Sequence, residues 1–349
     1  MRKRWLKGLA LAFSVALLVT ACSDDKDKKA AGESDSIPVP TFPVGTTMDV
    51  LQKKGKINVG VKFDQNGFGL KNPTNNQIEG FDVEIAKRIA QGVFGGTKEA
   101  AGAKVNFIEA VSKNREPFIQ NGTVDVVVAT YTINNTRKVV VDFAGPYYVA
   151  YGDIMVKTND NSITKVEDLN GKNVCTVKGS TYPNSLKAKA PQANVTQLDT
   201  YSQCTEALKD GRVVAETTDN VILAGIVQQN AGQFKLIGSN YTNEPYGIGL
   251  KKGDEAFRTF LNNRLQTLYD NGQWKTAYEA TLGKLGLPTP PPPPIDRYLT
   301  VGGSTTAASG GSTTSATSAA PTAAPASTSA ASAAPTTAPA SSAVPPVSR

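Results

Sequence analysis

The chain has 349 residues, three cysteines, no histidine and a formal charge of +7. Without histidine, Ser-His-Asp and Cys-His hydrolysis, His-ligated metals and His proton shuttles are excluded, and three cysteines are too few for a zinc ribbon or a four-cysteine cluster. Arg2, Lys3, Arg4 and Lys7 precede Cys22 with no acid among them, so the rest of the chain carries only +3, too little for a nucleic-acid-binding patch.

The first residues read as an address. A basic start is followed by the apolar run 9–18, too short to span a bilayer as a mature helix. Val19-Thr20-Ala21-Cys22 resembles the bacterial lipobox, whose cysteine is acylated and becomes the new N-terminus. The expectation is a signal peptide over 1–21, lipidation of Cys22, and a position on the extracytoplasmic face of the cell membrane, since two acyl chains anchor stably. Residues 22–47, charged and then Pro-rich, are expected to be the anchor and a flexible linker. That compartment is oxidising. With Cys22 taken by lipid, Cys175 and Cys204 are left as a disulfide pair; two buried thiols are the alternative.

From Met48 the pattern becomes regular. INVGV at 57–61 predicts a strand, and 80–96 a helix, with Ile85, Ala86, Ile89 and Val93 at helical spacing before Gly95-Gly96. VNFIE at 105–109 predicts a strand, 115–121 a short helix, and VDVVVA at 124–129 a strand buried on both faces. A second unit follows, with strands at 153–157, 173–177, 194–198 and 213–217 and helices over 204–211 and from Asn220. YGIGLKK then precedes a long helix with Phe257, Leu261, Leu265 and Leu268 on one face, and a last helix carries Trp274 and Tyr278. Alternation of strands and helices implies an α/β protein with mainly parallel sheets. The Pro-rich and then Ser/Thr/Ala/Pro-rich segment 288–349 is expected to be a disordered tail, open to O-glycosylation.

GFDVEIAKRIA at 80–90 and NGTVDVVVATYTINNTRKVVVDFAGPYY at 121–148 resemble the family 3 solute-binding proteins of bacterial ABC importers for polar amino acids, and most nearly the glutamate/aspartate-binding lipoproteins. The resemblance continues through KGSTY at 178–182 and GRVVAETTDNVILAG at 211–225. It implies a two-lobed, type II periplasmic-binding fold, with lobe 1 at 48–153 plus 239–287 and an inserted lobe 2 at 154–238, joined by crossovers near Tyr151 and Tyr241. It also implies a monomeric receptor that is no enzyme and carries no cofactor. Such a receptor closes on an amino acid and delivers it to ABC permease subunits.

The residues are consistent with that. An amino acid needs a bidentate cation for its α-carboxylate and an anion for its ammonium. Thr130 and Thr132 end a buried strand, where open α/β sheets place ligands. Arg137 starts a helix, where positive charge is unfavourable unless an anion is near. By the resemblance Arg137 grips the α-carboxylate with threonine help, Asp219 receives the ammonium, and Ser180 and Thr181 close over the ligand. The spacing of Asp219 by itself favours a plain helix N-cap. Lys62, Ser112 and Arg115 match residues that hold a side-chain carboxylate. Lys62, Arg115 and Arg137 against Asp219 leave a positive excess that suits L-glutamate or L-aspartate, with glutamine and asparagine as alternatives. Gln65 stands where an aromatic is expected over the ligand; Phe63, Phe68 and Tyr201 are the candidate substitutes. Two other readings remain at this point: a sensor reporting to a membrane partner, and a cyclohexadienyl-dehydratase-like enzyme, for which Glu216 and Asp219 are the available cleft acids.

Overall fold

The computed structural model describes residues 35–297. The signal peptide, Cys22 and the tail beyond 297 lie outside the described residues. In chain order the strands are β1 (Ile57–Val61), β2 (Asp64–Gln65), β3 (Gly69–Lys71), β4 (Ile78–Glu79), β5 (Val105–Glu109), β6 (Val126–Val127), β7 (Val141–Lys157), β8 (Asn173–Val177), β9 (Asn194–Leu198), β10 (Ala215–Asp219), β11 (Phe234–Leu236) and β12 (Asn243–Lys251). Nine of them form one sheet in the order β5-β1-β6-β12-β7-β10-β8-β9, with β11 also on β7; β2, β3 and β4 form a small antiparallel sheet.

The large sheet belongs to two lobes joined through β7. In lobe 1, β1 runs parallel to β5 and β6. In lobe 2, β8 runs parallel to β9 and β10. The first part of β7 pairs antiparallel with β12, and its last part with β10 and β11. The lobes have separate apolar cores, one around Val59, Ile89, Leu265 and Trp274, another around Cys175, Leu208 and Ile222. At the junction Tyr241 N–H donates to Gly152 O at 2.9 Å, and Gly152 N–H to Thr242 O at 3.1 Å.

Local sequence accounts for most elements. Val59 and Val61 are fully buried because helices cover the sheet of lobe 1. Helix Phe81–Phe94 buries Phe81, Ile85, Ile89 and Val93 along its length and ends at Gly95. Two strands differ from expectation. Of 124–129 only Val126–Val127 stays in the ladder, because the chain turns out at Thr130 with φ of 44°. The strand expected at 213–217 lies two positions later and ends on Asp219.

The terminal segments differ more. The linker expectation for 22–47 fails over its described part. Ile37 and Gly96 exchange backbone hydrogen bonds at 3.1 and 2.8 Å, Asp35 pairs with Arg88, and Phe42 meets Phe260 edge-on at 5.4 Å. Thr46 then caps helix Thr47–Lys54. At the other end Tyr278 Oη donates to Pro288 O at 3.0 Å, Asp296 N–H to Gly145 O at 2.8 Å, and Ile295 packs on the core. So the start of the expected tail, 288–297, is laid on lobe 1. Prolines lack an N–H to satisfy and leave their carbonyls free, which suits an extended chain lying along a surface.

Cys175 and Cys204 are bonded, with Cα atoms 5.4 Å apart. The 29-residue separation predicts a gain of roughly 3 kcal/mol over the reduced chain. Cys204→Ser, or dithiothreitol, is expected to lower the melting temperature accordingly; an unchanged melt would count against a stabilising bond.

Candidate functional site

The predicted residues come from strand ends and from the short helices and turns that follow them, on both lobes. Ser112, Arg115, Thr130, Thr132 and Arg137 of lobe 1 and Ser180, Thr181 and Asp219 of lobe 2 line one small, tightly closed cavity. Lys62, which follows β1, stands one step behind: its Nζ donates to Ser112 Oγ at 2.8 Å. Tyr182 and Tyr201 complete the wall.

The cationic end is built on Tyr131. Its ring is fully buried, with the Arg115 guanidinium 4.4 Å and that of Arg137 4.8 Å from the ring centre. Arg137 donates to Glu116 at 3.1 Å, to Thr132 O at 2.7 Å and to Gly179 O of lobe 2 at 2.9 Å. Burial, and then the charge of Arg115, bring its pKa down to about 10. Arg115 donates to four carbonyls, those of Ser112, Ala129, Thr130 and Gly179, at 3.1–3.2 Å. The turn at Thr130 exposes two of these carbonyls, which explains why β6 is short. Lys62 is buried; desolvation, and then Arg115, push its ammonium down to about 7.

The Thr130 loop is held from below. Asp82 accepts from Thr130 N–H at 3.0 Å and from Tyr147 Oη at 2.6 Å. Burial raises its carboxyl to about 7 against these two hydrogen bonds. Gln65, buried where an aromatic was expected, lies 3.0 Å from Thr130 Oγ1. Neither Phe63 nor Phe68 replaces that aromatic. Phe68 is in the core against Phe81, Tyr148 and Tyr246, and Phe63 packs beside the same core. The aromatic rings at the cavity are those of Tyr182 and Tyr201 from lobe 2.

The anionic end holds Asp219. It occupies the N-cap position of helix Asn220–Gln229, yet its side chain makes no capping hydrogen bond. Its carboxylate instead accepts from Tyr182 Oη at 2.6 Å. Burial, and then the charge of Glu244, raise it to about 7. Glu244, on β12, was not anticipated: it lies two residues ahead of the YGIGLKK run. It is buried and accepts from Thr132 Oγ1 at 2.7 Å and Thr181 Oγ1 at 3.1 Å. Ser180 Oγ donates to Val177 O at 2.8 Å. Glu216 is not at the cavity; it is buried beneath helix Tyr201–Lys209 and accepts from Thr205 Oγ1 at 2.9 Å.

The lobes touch beside the cavity. Lys113 of lobe 1 pairs with Asp199 of lobe 2 at 2.7 Å, and Asp64 accepts from Tyr201 N–H at 3.1 Å at the start of helix Tyr201–Lys209. Two glycines permit the approach. A Cβ on Gly179, where φ is +76°, would lie 2.6 Å from Lys113 Cα, and one on Gly225 would lie 2.5 Å from Asn66 O.

Comparison with known proteins gives a consistent result. The model of the bacterial extracellular solute-binding proteins, family 3, matches residues 57–284. The ABC transporter glutamine-binding protein GlnH of Bacillus subtilis is 38% identical over 280 residues, which are 80% of this chain and 97% of that one. The glutamate-binding protein GluB of Corynebacterium glutamicum is 39% identical over 238 residues, 66% of this chain and 80% of that one. An ancestral arginine-binding protein solved with glutamine superimposes with a TM-score of 0.61 at 35% identity, covering 66% of this chain and 98% of that one.

Proposed function

The chain belongs to family 3 of the bacterial extracellular solute-binding proteins, and on that premise we propose that it is a receptor lipidated at Cys22 that captures L-glutamate or L-aspartate and delivers it to ABC permease subunits. The observation that carries the ligand class is the division of one cavity into a cationic end, Arg115 and Arg137 with Lys62 behind Ser112, and an anionic end at Asp219. An amino acid has that division of charge. Arg137 is assigned the α-carboxylate, Asp219 the ammonium, and Lys62 with Ser112 and Arg115 the distal carboxylate. Thr130, Ser180 and Thr181 complete the enclosure.

Glutamine is the second reading. Glu244 adds a carboxylate beside Asp219, and Glu116 pairs with Arg137, so the positive excess is smaller than the cations alone suggest. The relatives divide likewise, one named for glutamine and one for glutamate. Titration calorimetry with L-glutamate, L-aspartate, L-glutamine and L-asparagine tests this. Tighter binding of the acids supports the first reading, tighter binding of the amides the second, and no binding of any at millimolar concentration removes both.

In this reading lobe 2, 154–238, hinges on lobe 1, 48–153 plus 239–287, at the paired segments around Gly152 and Tyr241. Gly225→Ala tests the closed contact separately. Alanine is the better helix residue by about 1 kcal/mol, so the ligand-free protein should melt no lower than wild type. The added methyl would meet Asn66 O across the lobes, so affinity should fall about tenfold or more. Wild-type affinity in this variant would mean that the contact is not part of the liganded state.

A further inference from the structure

Glu244 joins the two predicted threonines, one from each lobe. It lies on β12, one of the two strands at the lobe junction, opposite Ala150 of β7. Its Oε2 receives hydrogen bonds from Thr132 of lobe 1 at 2.7 Å and Thr181 of lobe 2 at 3.1 Å. A carboxylate oxygen only accepts, and a hydroxyl has one proton. Both threonine protons are therefore directed away from the cavity that these residues line. What the hydroxyls can offer a bound molecule is lone pairs.

This alters the role expected of Thr132. A hydroxyl helping Arg137 hold a carboxylate would have to donate. Committed to Glu244, it suits an N–H donor instead. Asp219, at the same cavity, carries the opposite partner for such a donor. We infer that Glu244 is a positioning residue for the ligand's ammonium: it orients Thr132 and Thr181 as acceptors and adds negative charge beside Asp219. Because the two threonines come from different lobes, ammonium binding and lobe closure then share one carboxylate. The inference rests on reading the cavity as an amino-acid site and names a further part of it.

Glu244→Gln tests it, since the side chain keeps its size and loses its charge. Calorimetry with L-glutamate and L-glutamine from pH 5.5 to 8 should show both weakened about tenfold or more at neutral pH. Burial and then Glu244 raise Asp219, while Tyr182, Tyr246 and Arg115 lower it. Glu244 is the charge that the variant removes. Its removal should move the acid limb of the binding profile to lower pH than in wild type. Affinity within about threefold of wild type, or a loss with the acid limb unmoved, overturns the inference. Thr132→Val gives a second readout that does not depend on Glu244→Gln folding. It should weaken L-glutamate about fivefold or more and leave glutarate, which lacks the ammonium and is measured by competition, within about twofold. Equal loss for both ligands restores the donor role and overturns the inference. If wild type binds neither amino acid, the amino-acid reading fails and the inference with it; if wild type binds and the variants behave as wild type, only the inference fails.

Discussion

Arg137→Ala is expected to remove binding of every amino acid, by about a hundredfold or more, because a buried charge-assisted contact is lost and Glu116 is left without its cation. Lys62→Met should behave differently. Its ammonium donates to the Ser112 side chain and not to the loop's backbone, so little of the loop depends on it. Its loss should weaken L-glutamate about tenfold or more and L-glutamine much less. Arg115→Ala is a poorer probe of the same point. Arg115 holds four backbone carbonyls, two of them at the Thr130 turn, and removing it should weaken both ligands. Calorimetry on the three variants separates these expectations. If Lys62→Met lowered glutamate and glutamine equally, the distal-carboxylate assignment would be wrong, while the receptor reading would stand.

The second large effect is a difference in pH dependence between the acid and its amide. Asp219 is raised to about 7 by burial and then by Glu244. A ligand ammonium requires its ionised form. As pH falls through 7 the carboxyl takes up a proton that the ligand must displace, so both ligands should lose about tenfold per pH unit. Lys62 is lowered to about 7 by burial and then by Arg115. A ligand carboxylate requires its protonated form. As pH rises through 7 the proton leaves, so glutamate should weaken on the alkaline side while glutamine stays level. Asp82 is also raised to about 7. It meets Thr130 and Tyr147, and Asp82 and Lys62 each favour the other's charged form, so the two groups act together on a ligand carboxylate. The glutamate-to-glutamine affinity ratio from pH 6 to 9, measured in wild type and in Lys62→Met, therefore assigns the alkaline limb: it should flatten in the variant. A wild-type ratio independent of pH would rule out contact between Lys62 and a ligand carboxylate.

Much of this protein is determined locally. Helix Phe81–Phe94 follows from apolar residues at helical spacing and its glycine stops, and β1 and β8 from short, largely apolar runs between turns. The residues around the cavity follow strand ends, and strand ends are legible wherever an apolar run stops at a turn. Strand ends mark where Thr130 and Arg137 stand, and the family resemblance is what singled out Ser112, Ser180 and Asp219 as site residues. Tertiary structure decided which partners each of them meets. Asp219 has the position of an N-cap but turns to Tyr182, from a segment 37 residues away. Glu244 reaches Thr132 across 112 residues and carries no local signal, since a strand pattern says nothing about which side chain a carboxylate will meet. The Pro-rich segments ending at 46 and starting at 288 read as free chain because their composition cannot build a core. Over the described residues 35–46 and 288–297 they are laid on lobe 1 because its finished surface offers Gly96, Arg88 and Gly145 as partners. Hydrogen-bond partners and docked extensions depend on surfaces that exist only after the helices and strands have packed, and short-range spacing does not encode them.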